Sequence, residues 1–231
     1  MYGDVMISLK NPYISVDYEN GPSYGGSQTL AVNKTIKHVG CGVIAAADLI
    51  IYLSRNHVRL NRDFMYGLRI NPIEPKNYTN FLSHLRNRYF PIIPHIGMNG
   101  LGLMTGMELF FKLYKLPFDC HWCISDKGIW DKIEQMLKAD IPVIMAVGPN
   151  FPFIWKKGRA MLYSKTENGT YIPSGAVKAH FITITGMDAE WLEISSWGRR
   201  LYLNRRMYEE YVSKYSASLV SNILYVKKKP E

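Results

Sequence analysis

Cysteine is scarce in this chain, with three in 231 residues. An odd number cannot all pair internally, and three is too few for the disulfide framework of a small secreted domain. The scarcity points to a reducing compartment. No apolar run approaches the roughly 18 residues that a membrane span requires, so no transmembrane segment is expected. The opening MYGDVMISLK lacks the basic stretch and apolar core of a secretory leader, and with the cysteine count this makes a cytoplasmic location the expectation. There is no internal repeat and no low-complexity segment.

Acidic residues are also in short supply: 19 Asp and Glu stand against 28 Lys and Arg, a formal net charge of +9. Such a balance admits nucleic acid or an anionic surface as a partner. However, the basic pairs Lys156-Lys157, Arg199-Arg200 and Arg205-Arg206 and the tail Lys227–Lys229 are scattered, and no nucleic-acid motif accompanies them. A solvated basic surface is the plainer reading, and no specific nucleic-acid partner is expected. The length suits one domain with ample core.

Chemistry concentrates in two stretches. The first is GCGVIAAADLIIYL, Gly40 to Leu53, in which Cys41 sits between Gly40 and Gly42 and opens a run whose apolar residues leave no polar face. Such a helix is buried on all sides. A thiol at its N-terminus meets unpaired N–H groups and the helix dipole, which favour the thiolate. Taken alone, Cys41 reads more readily as a small core residue; the second stretch is what draws it out. The second stretch is AHFITITGMDAEWLEISSWG, Ala179 to Gly198. Phe181–Thr185 alternates as a strand, Gly186–Ala189 is a turn, and Trp191–Ser196 returns. The hairpin brings His180 beside Ser195, Ser196 and Trp197.

A cysteine on a helix, then a histidine on a strand, then a polar residue before Ser-Trp-Gly resembles the papain-like cysteine peptidase superfamily, and within it the compact bacterial C39-like branch. The resemblance implies an α+β fold in a single domain: a mainly helical part (residues 1–140) carrying the nucleophile helix, packed on a β-rich antiparallel sheet (141–231). It implies Cys41 as nucleophile, His180 as its base and Ser195 as the residue orienting the imidazole, where the superfamily carries Asn. Ser196 and Asp188 are rivals for that last role. Gly40, Gly42, Ser196 and Trp197 are expected to line the site. The oxyanion donors are the Cys41 N–H and a side-chain amide. The superfamily places a Gln six residues before the cysteine, where this chain has Thr35, so Gln28 is favoured, with Asn33 as the alternative. His38 is expected to face solvent. The implied activity is hydrolysis of a peptide or amide bond in a peptide or protein substrate, with no cofactor. Acyl transfer of the transglutaminase kind, or a catalytically inactive peptide-binding shell, are the alternatives. The sequence fixes no oligomeric state.

Between the two stretches, Tyr78–Tyr89 and Asp126–Lys138 have helical spacing, and Thr105 with Glu108 forms a capping-box pattern opening a helix over Thr105–Leu113. Pro91–Gly102 reads as a loop. The Cys120-His121-Trp122-Cys123 cluster invites a metal, but no further ligands stand at suitable spacing; the thiols read as structural and no metal is expected. Further strands are expected at Val143–Val147, Ala160–Ser164, Tyr171-Ile172, Leu201–Leu203 and Ile223–Val226. Phe151, Phe153 and Trp155, on a loop from Gly148 to Gly158, either line a substrate cleft or cover the sheet edge.

Overall fold

A computed structural model describes residues 5–31, 33–93 and 97–229. The arm carries three two-residue strands, β1 (Ile7–Ser8), β2 (Asp17–Tyr18) and β3 (Gly21–Pro22). Four helices follow: α1 (Lys34–Val39), α2 (Cys41–Asn56), α3 (Pro75–Arg88) and α4 (Gly100–Leu113). Next come β4 (Phe118–Trp122), α5 (Ile129–Lys138), β5 (Val143–Val147), β6 (Ala160–Lys165), β7 (Tyr171–Val177), β8 (His180–Met187), β9 (Trp191–Ser196), β10 (Arg199–Asn204), α6 (Arg205–Tyr215) and β11 (Ile223–Lys228).

The architecture is α+β. One antiparallel sheet runs β4-β11-β5-β8-β9-β10-β6-β7, with β1 pairing on the far end of β8. β7 lies at the edge, yet only Lys178 and Ala179 separate it from central β8. Three peptide steps reach about 11 Å at most. The sheet must therefore curl until its edge returns over its middle, and His180 opens β8 at that junction. Every residue of β8 is buried. Helix α2 packs on β8 and β5, α4 on β4 and β11, α5 on β5, β8 and β11, and α6 on β6 and β10.

Several sequence expectations need correcting. The nucleophile helix is not entered from a loop: a short helix, α1, precedes it and ends on Gly40, the residue from which α2 starts. Helix α4 begins at Gly100, capped by Asn99 Oδ1, which accepts from Gly102 N at 2.7 Å. Gly100 permits this early start, since a Cβ there would lie 2.3 Å from the Trp122 ring. Thr105 instead donates to the Leu101 carbonyl, and Glu108 accepts the Cys120 N–H. The Cys120–Cys123 run begins within a strand, β4, whose alternation buries Cys120 and Trp122 and exposes His121. Cys120 and His121 therefore point to opposite faces. Both thiols are free and buried, and burial pushes both above the ordinary thiol range. Among the described residues no three His, Cys, Asp or Glu are placed to hold a metal. Strand β8 extends to Met187, so the turn falls at Asp188–Glu190; there Asp188 Oδ1 accepts from Glu190 N and Trp191 N, far from His180.

Helix α2 also departs from its expected all-apolar surface. Asp48 is 1% exposed in the middle of it. Its carboxyl accepts from Tyr78 Oη at 2.6 Å, Gly26 N at 3.0 Å and Tyr13 Oη at 3.3 Å. The bonds tie α3 and the arm to α2. Gly26 is held so closely that a Cβ would meet Tyr78 Oη at 1.8 Å. Burial pushes the Asp48 carboxyl up to about 6, against the pull of these donors.

A carboxyl raised on folding keeps its proton after the unfolded chain has lost it. The associated stability is present below about pH 4 and lost as pH rises toward about 6. Wild type is expected to lose on the order of 2–3 kcal/mol across that window relative to Asp48→Asn. Urea midpoints measured from pH 4 to 7.5 check this; parallel curves for the two proteins would refute it.

Candidate active site

Cys41 is the first residue of α2. Gly40 accepts the Ile44 N–H through its carbonyl and donates its own N–H to Ile36 O, so α1 turns directly into α2. Gly42 lets the helix end press on β8: a Cβ there would stand 2.8 Å from Met98 Cε and 3.2 Å from the Phe181 ring. Cys41 keeps part of its surface open to a cleft while its thiol lies deep in protein.

His180 is 9% exposed, and its Nε2 lies 2.8 Å from Ser196 Oγ. The Trp197 ring stacks on the imidazole at 4.9 Å between centroids and 26° between planes. Trp197 and Gly198 form the two-residue turn joining β9 to β10, with φ of 53° and 73°. Two left-handed residues in a two-residue hairpin make a type I′ turn, for which a Trp in the first position is unfavourable. The turn aims the indole over His180.

The residue bonded to His180 is therefore Ser196, not Ser195, and strand alternation explains the correction. Ser195 pairs across from Thr183 and faces α2, where its hydroxyl donates to Tyr24 O at 2.7 Å. Ser196 points the other way, to His180. Ser195 instead fixes the arm. A Cβ on Gly25, which has φ of 78°, would fall 2.1 Å from Ser195 Oγ.

That arm delivers Gln28. With Cys41, Asp48, His180, Ser195, Ser196 and Trp197 it lines a cavity of about 20 Å³, enough for one water. Its Oε1 is buried without a hydrogen-bond partner among the described residues. Asn33, the alternative, lies outside this cavity: its Oδ1 caps α1, accepting from Thr35 N and Ile36 N. Gly40 and Gly42 are buried behind the site and do not line it, whereas Ser196 and Trp197 do. Two open grooves meet at His180. One, of about 320 Å³, is walled by Gln28, His38, Cys41, Arg159, Lys178 and Trp197. The other, about 330 Å³ and mostly apolar, is walled by Met98, Leu101, Pro149, Phe181 and Leu219. His38 is exposed as expected, but at the rim of the first groove. Phe151, Phe153 and Trp155 wall neither.

The electrostatics reverse one expectation. Burial pushes the Cys41 thiol above its ordinary value, outweighing the backbone N–H groups of Phe181, Gly42 and Cys41 itself, which pull it down. Burial also lowers the His180 imidazole to about 4. Among the described residues no hydrogen bond joins Cys41 to His180, and the ring's side-chain bond is to Ser196. The resting pair is a neutral thiol and a neutral imidazole. Asp48 and the Tyr24 carbonyl escaped the sequence reading. The signal for Asp48 was one acid inside a long apolar run; for Tyr24 there was none.

No protein-family model matches the chain, and no curated protein does. Among solved structures it is similar to a Bacillus anthracis protein described as a "putative C39-like peptidase". The likeness covers 94% of this chain and 99% of that one, at 16% identity and a TM-score of 0.48. It says nothing of chemistry, which rests on the groups around Cys41 and His180. Among the described residues no helix is long and apolar enough to cross a membrane.

The neutral resting pair is testable by alkylation. The rate of Cys41 modification by iodoacetamide is expected to climb through the ordinary thiol range and beyond, with no plateau at neutral pH. His180→Ala should show the same profile. A neutral-pH plateau in wild type, lost in His180→Ala, would show instead a preformed thiolate–imidazolium pair.

Proposed function

We propose that this protein is a cysteine peptidase that cleaves a peptide or amide bond through a thioester on Cys41. The observation carrying this reading is the single cleft in which Cys41, His180, Ser196, Trp197 and Gln28 converge. With the His180 proton on Nε2 and donated to Ser196, Nδ1 is left as the base. Cys41 Sγ attacks the carbonyl carbon as its proton passes to His180. The carbonyl oxygen becomes an oxyanion, held by the Cys41 N–H and the Gln28 amide. Collapse breaks the C–N bond, and His180 returns the proton to the leaving amine. Water, deprotonated by the same imidazole, then attacks the thioester, and the thiol is regenerated. A neutral resting pair suits this scheme, because proton transfer then accompanies attack and an imidazole near 4 is unprotonated at neutral pH. The grooves on both sides of His180 support a substrate that continues past the scissile bond. The basic charge imposes no nucleic-acid partner on this reading, and no cofactor or metal enters it.

Incubation with a proteome-derived peptide library, read by mass spectrometry for new N-termini, tests the proposal. Cys41→Ala and His180→Ala are expected to remove all new termini. Gln28→Ala should lower kcat about 100-fold with little change in KM. Ser196→Ala should lower the rate roughly 10- to 100-fold, as loss of a bond of about 1–3 kcal/mol implies. Ser195→Ala should act through the arm, and so less than Ser196→Ala. Products carrying an added amine in place of water would assign acyl transfer instead. A wild type that yields no more termini than Cys41→Ala would leave the inactive peptide-binding reading.

A further inference from the structure

The loop between β5 and β6 turns its apolar side chains outward. Phe151, Phe153, Ile154 and Trp155 are 42%, 40%, 78% and 71% exposed. A contiguous apolar patch of this kind marks an interaction site more often than it occurs idly. The loop is built to hold that shape. Phe151 N donates to Tyr215 O at 3.0 Å, and Lys156 Nζ donates to Lys214 O at 2.9 Å. The Asn150 side chain donates to the Lys156 carbonyl, closing the loop on itself, and Tyr211 Oη donates to Gly148 O at 2.6 Å. Turns bond Ile154 N to Pro152 O and Lys156 N to Phe153 O. Gly158 sits hard against α6, where a Cβ would fall 2.1 Å from the Tyr215 ring. At the tip, the Phe153 and Trp155 rings meet edge to face at 5.4 Å, with Lys156 Nζ 4.5 Å over Phe153.

The charge on this loop has one sign. Lys156, Lys157 and Arg159 follow the apolar tip, and no acid lies between residues 148 and 159. On the neighbouring helix, Glu210 is already paired with Arg206 and Lys214. We propose that this loop docks the protein on an anionic lipid surface. The apolar tip would enter the boundary between headgroups and acyl chains, and Lys156, Lys157 and Arg159 would meet the phosphates. The order of aromatic and aliphatic tip followed by cationic stem matches the layering of a bilayer interface. The loop leaves the fold at the cleft: Pro149 borders the apolar groove and Arg159 the other one. Docking would set the mouth of the cleft at the membrane surface, whatever chemistry Cys41 performs.

Co-sedimentation of the full chain with phosphatidylcholine vesicles, with and without phosphatidylglycerol, tests this. Binding is expected only with the anionic lipid, and should weaken as salt rises. Ile154→Ser/Trp155→Ser should reduce partitioning more than about ten-fold, and Lys157→Glu more than about five-fold. Trp155→Phe should keep most of the binding but lose the vesicle-induced blue shift of fluorescence, which identifies Trp155 as the group entering the lipid. Circular dichroism of each variant confirms folding. No binding to anionic vesicles, or binding unchanged in the Ile154→Ser/Trp155→Ser variant, would overturn the proposal. So would concentration-dependent self-association abolished by Trp155→Ser, which would make the patch a contact between copies.

Discussion

The Asp48 carboxyl is the point on which the site's geometry depends. It sits in the middle of a buried helix, and burial of a carboxyl without partners is unfavourable by several kcal/mol. Three donors meet it, from two parts of the chain: Tyr13 and Gly26 from the arm, Tyr78 from α3. The same helix begins seven residues earlier at Cys41. A single acid thus registers the arm against the element that carries the thiol. Ser195 completes the clamp from the sheet side by donating to Tyr24 O. Between these two contacts the Gly25-Gly26 turn has no room for a side chain, and Gln28 follows where it can face the cleft. The Gln28 amide, the proposed oxyanion donor, is thereby placed by contacts that Asp48 and Ser195 make to the arm.

Burial also decides the protonation of the reacting pair. A helix N-terminus stabilises negative charge by about 0.3–1 kcal/mol at exposed positions. Desolvation of a buried ion is larger, and here the thiol rises despite three favourable N–H groups. Reading the helix dipole from sequence was sound as far as it went. What the sequence did not show was how deeply the helix start would be sunk between β8 and Met98.

The elements with strong periodicity were legible. Val143–Val147 and Trp191–Ser196 were found to the residue, because β-branched or alternating runs between turn formers admit little else. The α+β architecture was implied by the family resemblance, and these strands fall within it. The clustering of Cys41 with His180 was legible through the motif resemblance, and both residues line one cavity. Failures came where tertiary contact overrides local pattern. Strand β4 has no β-branched residue and is held by pairing with β11. The early start of α4 depends on Trp122 lying against Gly100, a contact 22 positions apart. The choice between Ser195 and Ser196 turned on a strand register that a bulge between Ile184 and Gly186 sets, and no composition rule reports a bulge.

The use of a hydroxyl beside His180 has a consequence that reaches the chemistry. A carboxylate partner would raise the imidazole by charge attraction, and so offset burial. Ser196 carries no charge, and desolvation is the cause that shifts His180, down to about 4. The ring then needs another means of being held in place, because a neutral hydrogen bond contributes only about 1 kcal/mol. Trp197 supplies it, by stacking on one face of the imidazole. Its left-handed backbone costs about 1–3 kcal/mol, which the type I′ turn and the surrounding sheet absorb. Orientation is thus divided between a weak bond that engages Nε2 and a packed indole that fixes the plane. An imidazole held this way is neutral at neutral pH, and in the proposed mechanism it gains its charge only on taking the thiol proton. In the proposed mechanism the step to be stabilised is formation of that ion pair, and the proposed donors for the developing negative charge are the Cys41 N–H and the amide of Gln28.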